Sequence, residues 1–202
     1  QRGRVYEAFE RTQNVLEQER DEELPLRWAL DFNVDPMSSV VAQISDGKVE
    51  VLDEIVLSRA STEDACREFV KRYPKWKHGL VVYADASGGH QQTAGSSDEQ
   101  VIRSFFGKAR EAAVSVKIPT RNPAVRARVQ LVNAKLRSAD GTVGLTITPR
   151  CKELIKDFDE VTWVEGTHEI DKAKDKKRTH LSDALGYLLW AEFHSEPKIG
   201  PR

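Results

Sequence analysis

The chain has 202 residues, enough for one domain with a sizeable core, and its 39% hydrophobic and 31% charged residues mark it as globular. No apolar run approaches the roughly 18–20 residues that span a bilayer, and the opening QRGRVYEAFERTQ has no apolar signal core. Cys66 and Cys151 form no CxxC or Cys/His cluster, so a thiolate zinc site is not expected and a reducing cytosol is.

The net charge of −1 carries no information about nucleic acid, but its distribution does. From Ala112 to Ala139 there is no Asp or Glu, while Lys117, Arg121, Arg126, Arg128, Lys135 and Arg137 fall there. A second basic cluster is Lys172, Lys174, Lys176, Lys177 and Arg178, diluted by Asp171 and Asp175. Acid is gathered instead in Glu17–Glu23.

In chain order, residues 1–25 begin with a short apolar pattern (Val5, Tyr6, Phe9) and become acidic and polar up to Pro25. They read as a linker or peripheral segment, a piece of something longer. The domain core is expected over residues 26–194, with 195–202 a flexible tail. Leu26–Pro36 alternates Trp28, Leu30 and Phe32 with Arg27, Ala29, Asp31 and Asn33, the period of a strand, and Pro36 stops the ladder. Ser38–Ile44 and Val49–Leu57 are β-branched runs joined through Asp46-Gly47, a tight hairpin signal. Ser61 caps a helix with Asp64 at its third position, close to a capping box, and Pro74 ends it.

Leu80–Asp85 is a near-continuous apolar run, as in a strand covered on both faces. The helix before it implies a crossover, which makes this strand parallel to the first. A Gly/Ser-rich loop over 86–97 precedes a helix at Asp98–Ala109 and a strand at Ala113–Ile118. Asn122-Pro123 reads as the start of a helix whose apolar face is Val125, Val129, Val132 and Leu136, with the basic residues off it. Short strands follow at Val143–Thr148 and Val161–Val164, around a helix at Arg150–Phe158. A polar, basic loop or hairpin spans Glu165–Arg178, and His180–Phe193 is a buried helix. The expected fold is α/β: a mixed sheet with three antiparallel strands first, parallel strands after, and helices on both faces.

Three acids stand out in this frame. Asp31 lies inside the first strand, Asp85 ends the fourth, and Asp183 sits in the first turn of the last helix. Adjacent parallel strands would hold Asp31 and Asp85 about 5 Å apart, and the last helix would add Asp183 from the side. Carboxylates so close repel unless cations keep them ionised. Hard oxygen donors favour Mg²⁺ or Mn²⁺, a chemistry suited to two-metal phosphodiester hydrolysis. Each acid also has an ordinary explanation: a strand end bonded to amides, a turn, a helix N-terminus. Likewise, the basic helix also reads as a solvated face.

The order of elements resembles the ribonuclease H-like, integrase-type nuclease fold. Within it, the chain resembles the C-terminal nuclease domain of the large terminase subunit of tailed bacteriophages. The residues that carry the match are LDFNVDP at Leu30–Pro36, YADASGG at Tyr83–Gly89, NPAVRARVQLVNAKL at Asn122–Leu136, LTITPRCKELIKDFDEVTW at Leu145–Trp163 and THLSDALGYLLW at Thr179–Trp190. GRVYEAF at Gly3–Phe9 is similar to the family's segment between motor and nuclease.

The resemblance implies metal ligands at Asp31, Asp85 and Asp183, an auxiliary histidine at His180, and two Mg²⁺ or Mn²⁺ ions. It implies a hairpin at 165–178 that steers DNA or gates access. Phosphates would be held by Lys117, Arg121, Arg126, Arg128, Lys172, Lys176, Lys177 and Arg178. The implied activity is cutting of concatemeric double-stranded DNA during packaging in the cytoplasm of an infected bacterium. The implied partners are an N-terminal ATPase motor, the small terminase subunit and the portal, with no membrane. No GxxxxGK[ST] loop occurs, so this chain is expected to cut DNA without hydrolysing ATP. The alternatives are a catalytically silent DNA-binding or docking module of the same fold, and a Holliday-junction-resolvase-type nuclease. A sugar-kinase-type phosphotransferase would need a duplicated domain that 202 residues do not hold.

Overall fold

The computed structural model describes residues 3–32, 35–89, 96–107 and 113–195. Asn33, residues 90–95 of the expected Gly/Ser-rich loop, the expected helix end near Ala109 and the expected tail from 196 lie outside the described residues.

Strands β1 (Leu26–Asp31), β2 (Met37–Ser45) and β3 (Lys48–Leu57) form an antiparallel meander. The β2–β3 turn is Asp46-Gly47, both at positive φ (51° and 73°), the twist that a two-residue hairpin needs. The helix α2 (Thr62–Arg72) carries the chain over the sheet to β4 (Leu80–Ala84), which pairs in parallel with β1. Its N-terminus has the full capping box, Ser61 with Asp64. Helix α3 (Asp98–Phe106) leads to β5 (Val114–Lys117), parallel to β4, and β6 (Leu145–Ile147) pairs in parallel with β3 at the opposite edge. The strand order is β5-β4-β1-β2-β3-β6. The mixed α/β sheet read from the sequence is the one observed.

The alternation of β1 divides its side chains between two cores. Leu26, Trp28 and Leu30 face α2 and α3, where Trp28 stacks on Phe69 with ring centroids 4.6 Å apart. Ala29 faces the other core, built from α4 (Val125–Leu136), α5 (Lys152–Glu160) and α6 (His180–Phe193). By the same period, Asp31 points to the α6 side, as does Tyr83 of β4. Val5, Tyr6 and Phe9 of the first segment are buried in that second core, with Tyr6 edge-on to Phe158 at 4.6 Å. After the short helix α1 (Arg11–Asn14), the buried Asn14 amide donates to the Leu136 and Leu145 carbonyls at 2.9 Å each.

Two local expectations need correction. Helix α4 starts at Val125 after Ala124, without a side-chain cap, because the Asn122 Oδ1 accepts a different hydrogen bond, from the Ala86 N–H at 2.7 Å. Residues 161–164 join no ladder and make only isolated bridges, Arg4 with Thr162 and Trp163 with Ile170, the second of which folds the start of the 165–178 segment back as a hairpin.

Candidate active site

Asp31 ends β1 and is 8% exposed. Its Oδ2 is 2.8 Å from His180 Nδ1, and His180 Nε2 is 3.0 Å from the Lys176 carbonyl. A carbonyl only accepts, so Nε2 carries a proton and donates there. The hydrogen bond to Asp31 then raises the imidazole's pKa and favours the doubly protonated form, an ion pair with the carboxylate. His180 therefore lies beside Asp31, from the first position of α6.

The register Leu30↔Ala84 sets Asp85, the next residue after β4, beside Asp31. Its carboxyl is pushed above the usual carboxylate range, by burial first, with the Asp31 charge adding to it. Ser87 opposes this by donating to Asp85 Oδ1 at 2.7 Å, and the Asn122 side chain also hydrogen-bonds the carboxyl. The turn that follows, Ala86–Gly89, packs directly on the residue after Asp31. A Cβ on Gly88 would overlap the Phe32 ring, so only glycine lets the two strand ends approach this closely.

Asp183 lies in the first turn of α6 and is 4% exposed. Two cations already meet it: Arg128 Nη1 at 2.8 Å from Oδ1 and Lys172 Nζ at 3.3 Å from Oδ2. Arg128 reaches it by crossing α6 over Gly186, where a Cβ would stand 2.9 Å from Nη1 and 3.0 Å from Cδ. The same guanidinium lies 4.7 Å from the centroid of the Tyr187 ring. Burial raises the Tyr187 phenol; the Arg128 charge opposes this, and the charges of Asp183, Asp85 and Asp31 add to it. Asp31, Asp85 and His180 are thus drawn together, with Asp183 alongside but held by its own cations. Among the described residues, no group of three Asp, Glu, His or Cys side chains is arranged to hold a metal ion. In donor chemistry, two neighbouring carboxylates, one of them pushed up by burial and then by the other's charge, suit a hard divalent cation.

The basic residues divide into two sets. Arg121, Arg126, Lys176 and Lys177 are exposed. Lys117 is ion-paired to Glu192 at 2.7 Å, and Lys172 to Asp183. Arg128 and Arg178, expected from the sequence to hold phosphates, are buried, at 5% and 6% exposure, and paired with acids inside the fold. Arg178 pairs with Glu153, with Asp157 at 3.1 Å and with Asp175 at 3.4 Å, tying the hairpin to α5. Next to it, Thr179 precedes α6 at φ +79°, a left-handed conformation unusual for a β-branched residue.

Sequence reasoning missed Arg128 as the partner of Asp183, Asn122 as a brace for the Asp85 turn, and Gly186 as the socket for Arg128. A signal existed for the first: Arg128 is three residues after Val125 and four before Val132, a spacing that places it on the buried stripe.

A model of the terminase RNaseH-like domain family matches residues 28–192. Among solved structures, the chain is similar to a large terminase from a thermophilic bacteriophage (TM-score 0.68, 14% identity), over 94% of this chain and 45% of that one. It therefore spans about half the length of that terminase. It is similar to the P22 large terminase nuclease domain (TM-score 0.63, 15% identity, 92% and 90% of the two chains). It is also similar to the large terminase nuclease of thermophilic phage G20c with bound magnesium (TM-score 0.59, 12% identity, 95% and 97%). No curated protein sequence matches this chain.

Proposed function

Because the chain belongs to the terminase RNase H-like domain family, we propose that it is a divalent-metal-dependent DNA endonuclease that cuts concatemeric double-stranded viral DNA for packaging. The observation that carries the reading is the pairing of Asp31 and Asp85 at the ends of neighbouring parallel strands, beneath the helix that bears Asp183 and His180. Asp31 and Asp85 would hold the cations, Mg²⁺ or Mn²⁺ and two in number, and Asp183 would complete the set. Bound there, divalent cations supply the positive charge that activates water and stabilises the leaving oxygen in phosphodiester hydrolysis.

The chain's own residues prepare that site. His180 hydrogen-bonds and orients Asp31 from one side, while Ser87 and Asn122 hold the Asp85 turn against it. Arg128 pairs with Asp183 in a buried position, where an unpaired carboxylate would be costly. The exposed Arg121, Arg126, Lys176 and Lys177 suit contacts to phosphate without reading sequence, and affinity through them falls with salt. The full assembly in this reading includes an ATPase motor, a small terminase subunit and a portal, working in the host cytoplasm. Tethering to the motor would raise the effective concentration of DNA at the nuclease.

A second reading, the catalytically silent DNA-binding module, is favoured by one observation: Arg128 and Lys172 already neutralise Asp183. Supercoiled plasmid incubated with Mn²⁺ or Mg²⁺ separates the two. The nuclease reading expects nicked and then linear product with the wild type and none with Asp31→Asn. No cutting by the wild type with either metal favours the silent module, and undiminished cutting by the variant overturns the role given to Asp31. A four-way junction cut in preference to plasmid would point to a resolvase.

A further inference from the structure

Beside the acid cluster, a cavity of about 430 Å³ lies between residues 117–123 and the C-terminal half of α6. That volume is within the range of sites that bury a small ligand. One wall is aromatic: Tyr187, Trp190 and His194 recur at helical spacing along one side of α6. The Trp190 and His194 rings are stacked, 4.8 Å between centroids and 6° from parallel. The other wall brings two cations, Lys117 and Arg121, and no acidic side chain lines the cavity among the described residues. Lys117 is engaged by Glu192 at 2.7 Å, whereas Arg121 is exposed and has no ion-pair partner among the described residues.

Flat ring faces next to a guanidinium form the combination that stacks a nucleobase while holding its phosphate. An apolar peptide would leave that charge without a partner. The cavity also adjoins the candidate site at two points. Tyr187, in its lining, has its ring 4.7 Å from the Arg128 guanidinium that pairs with Asp183. Asn122, between the lining residues Arg121 and Pro123, accepts the Ala86 N–H directly after Asp85.

We propose that this cavity is a single-nucleotide subsite, which takes one unpaired base of the DNA next to the position of cutting. The base stacks on the Trp190–His194 pair and its phosphate lies against Arg121. The proposal rests on the nuclease reading above and adds to it the form of the substrate: a duplex opened by one nucleotide, rather than a closed one.

The test needs no cleavage and is done without divalent metal. Two duplexes are compared by fluorescence, one ending in a single unpaired 2-aminopurine and the other blunt with the same base paired. The wild type is expected to quench the overhanging base and to bind that duplex more tightly than the blunt one. His194→Ala and Trp190→Ala are each expected to weaken binding of the overhang duplex about ten-fold and to leave blunt-duplex binding within about two-fold. If Trp190→Ala fails to fold, His194→Ala, at the exit of the helix, carries the comparison. Equal wild-type affinity for the two duplexes, or an equal loss on both in the variants, overturns the subsite and leaves the nuclease reading to the plasmid assay. Absence of binding to either duplex overturns the subsite and the DNA reading together.

Discussion

Asp183 and Arg128 form a buried pair whose geometry depends on a residue with no side chain. Gly186 is where the Arg128 side chain crosses α6, and an added methyl would sit 2.9–3.1 Å from three of its atoms. Gly186→Ala should therefore cost about 1–3 kcal/mol, the usual range for overpacking, read as a lower urea midpoint. Arg128→Met should cost about 3–5 kcal/mol, because it strands a buried carboxylate. Equal midpoints for wild type and Gly186→Ala would mean that Arg128 has slack. Thr179 offers the opposite case. A β-branched residue at φ +79° stores roughly 1–3 kcal/mol of backbone strain. The ion pairs of Arg178 before it and the Asp183 N–H donating to its carbonyl at 2.7 Å hold it there. Thr179→Gly should raise the urea midpoint, and a lower one would show that the threonine side chain outweighs the strain.

At the scale of elements, α5 and α6 meet through Asp157, which accepts the Ser182 N–H at 3.1 Å and faces Arg178. Burial outweighs both and pushes the carboxyl up to about 7. The folded state then keeps a proton that the unfolded chain has already lost above about pH 4. The group's contribution is full below that pH and declines as pH climbs to about 7. Relative to Asp157→Asn, the wild type should lose melting temperature from pH 4.5 to 7 and run parallel to the variant above it. A difference that stays constant across this range would contradict the shift.

The elements also show what kind of information the sequence holds. The hairpin is legible because Asp46-Gly47 can take positive φ, and the inward aim of Asp31 because strand period is fixed. The crossover through α2 implies parallel β1 and β4, from which the neighbouring Asp31 and Asp85 follow. Asn122 misleads because Asn-Pro before a helix is a local signal, and a distant loop claims its side chain instead. Arg128 and Arg178 read as surface residues because charge alone does not say which carboxylate waits inside the fold.

For the molecule as a whole, the sheet separates two jobs. One face, with α2 and α3 over Trp28, is an apolar support. The other bears α6, on which His180, Asp183, Tyr187 and the aromatic groove lie in sequence. Exposed cations flank it, and charge-neutralising substitutions at Arg121, Arg126, Lys176 or Lys177 should each weaken DNA binding on every sequence. Each should also lower the salt slope by about one. A sequence-dependent loss, or an unchanged slope, would place DNA elsewhere. The central claim is that the β1 and β4 ends form a cation site, and titration calorimetry with Mn²⁺ tests it most directly. The wild type is predicted to give a saturable heat approaching about two ions per chain, with Asp31→Asn and Asp85→Asn each losing most of it. No saturable heat from the wild type, or the same heat from both variants, would contradict it.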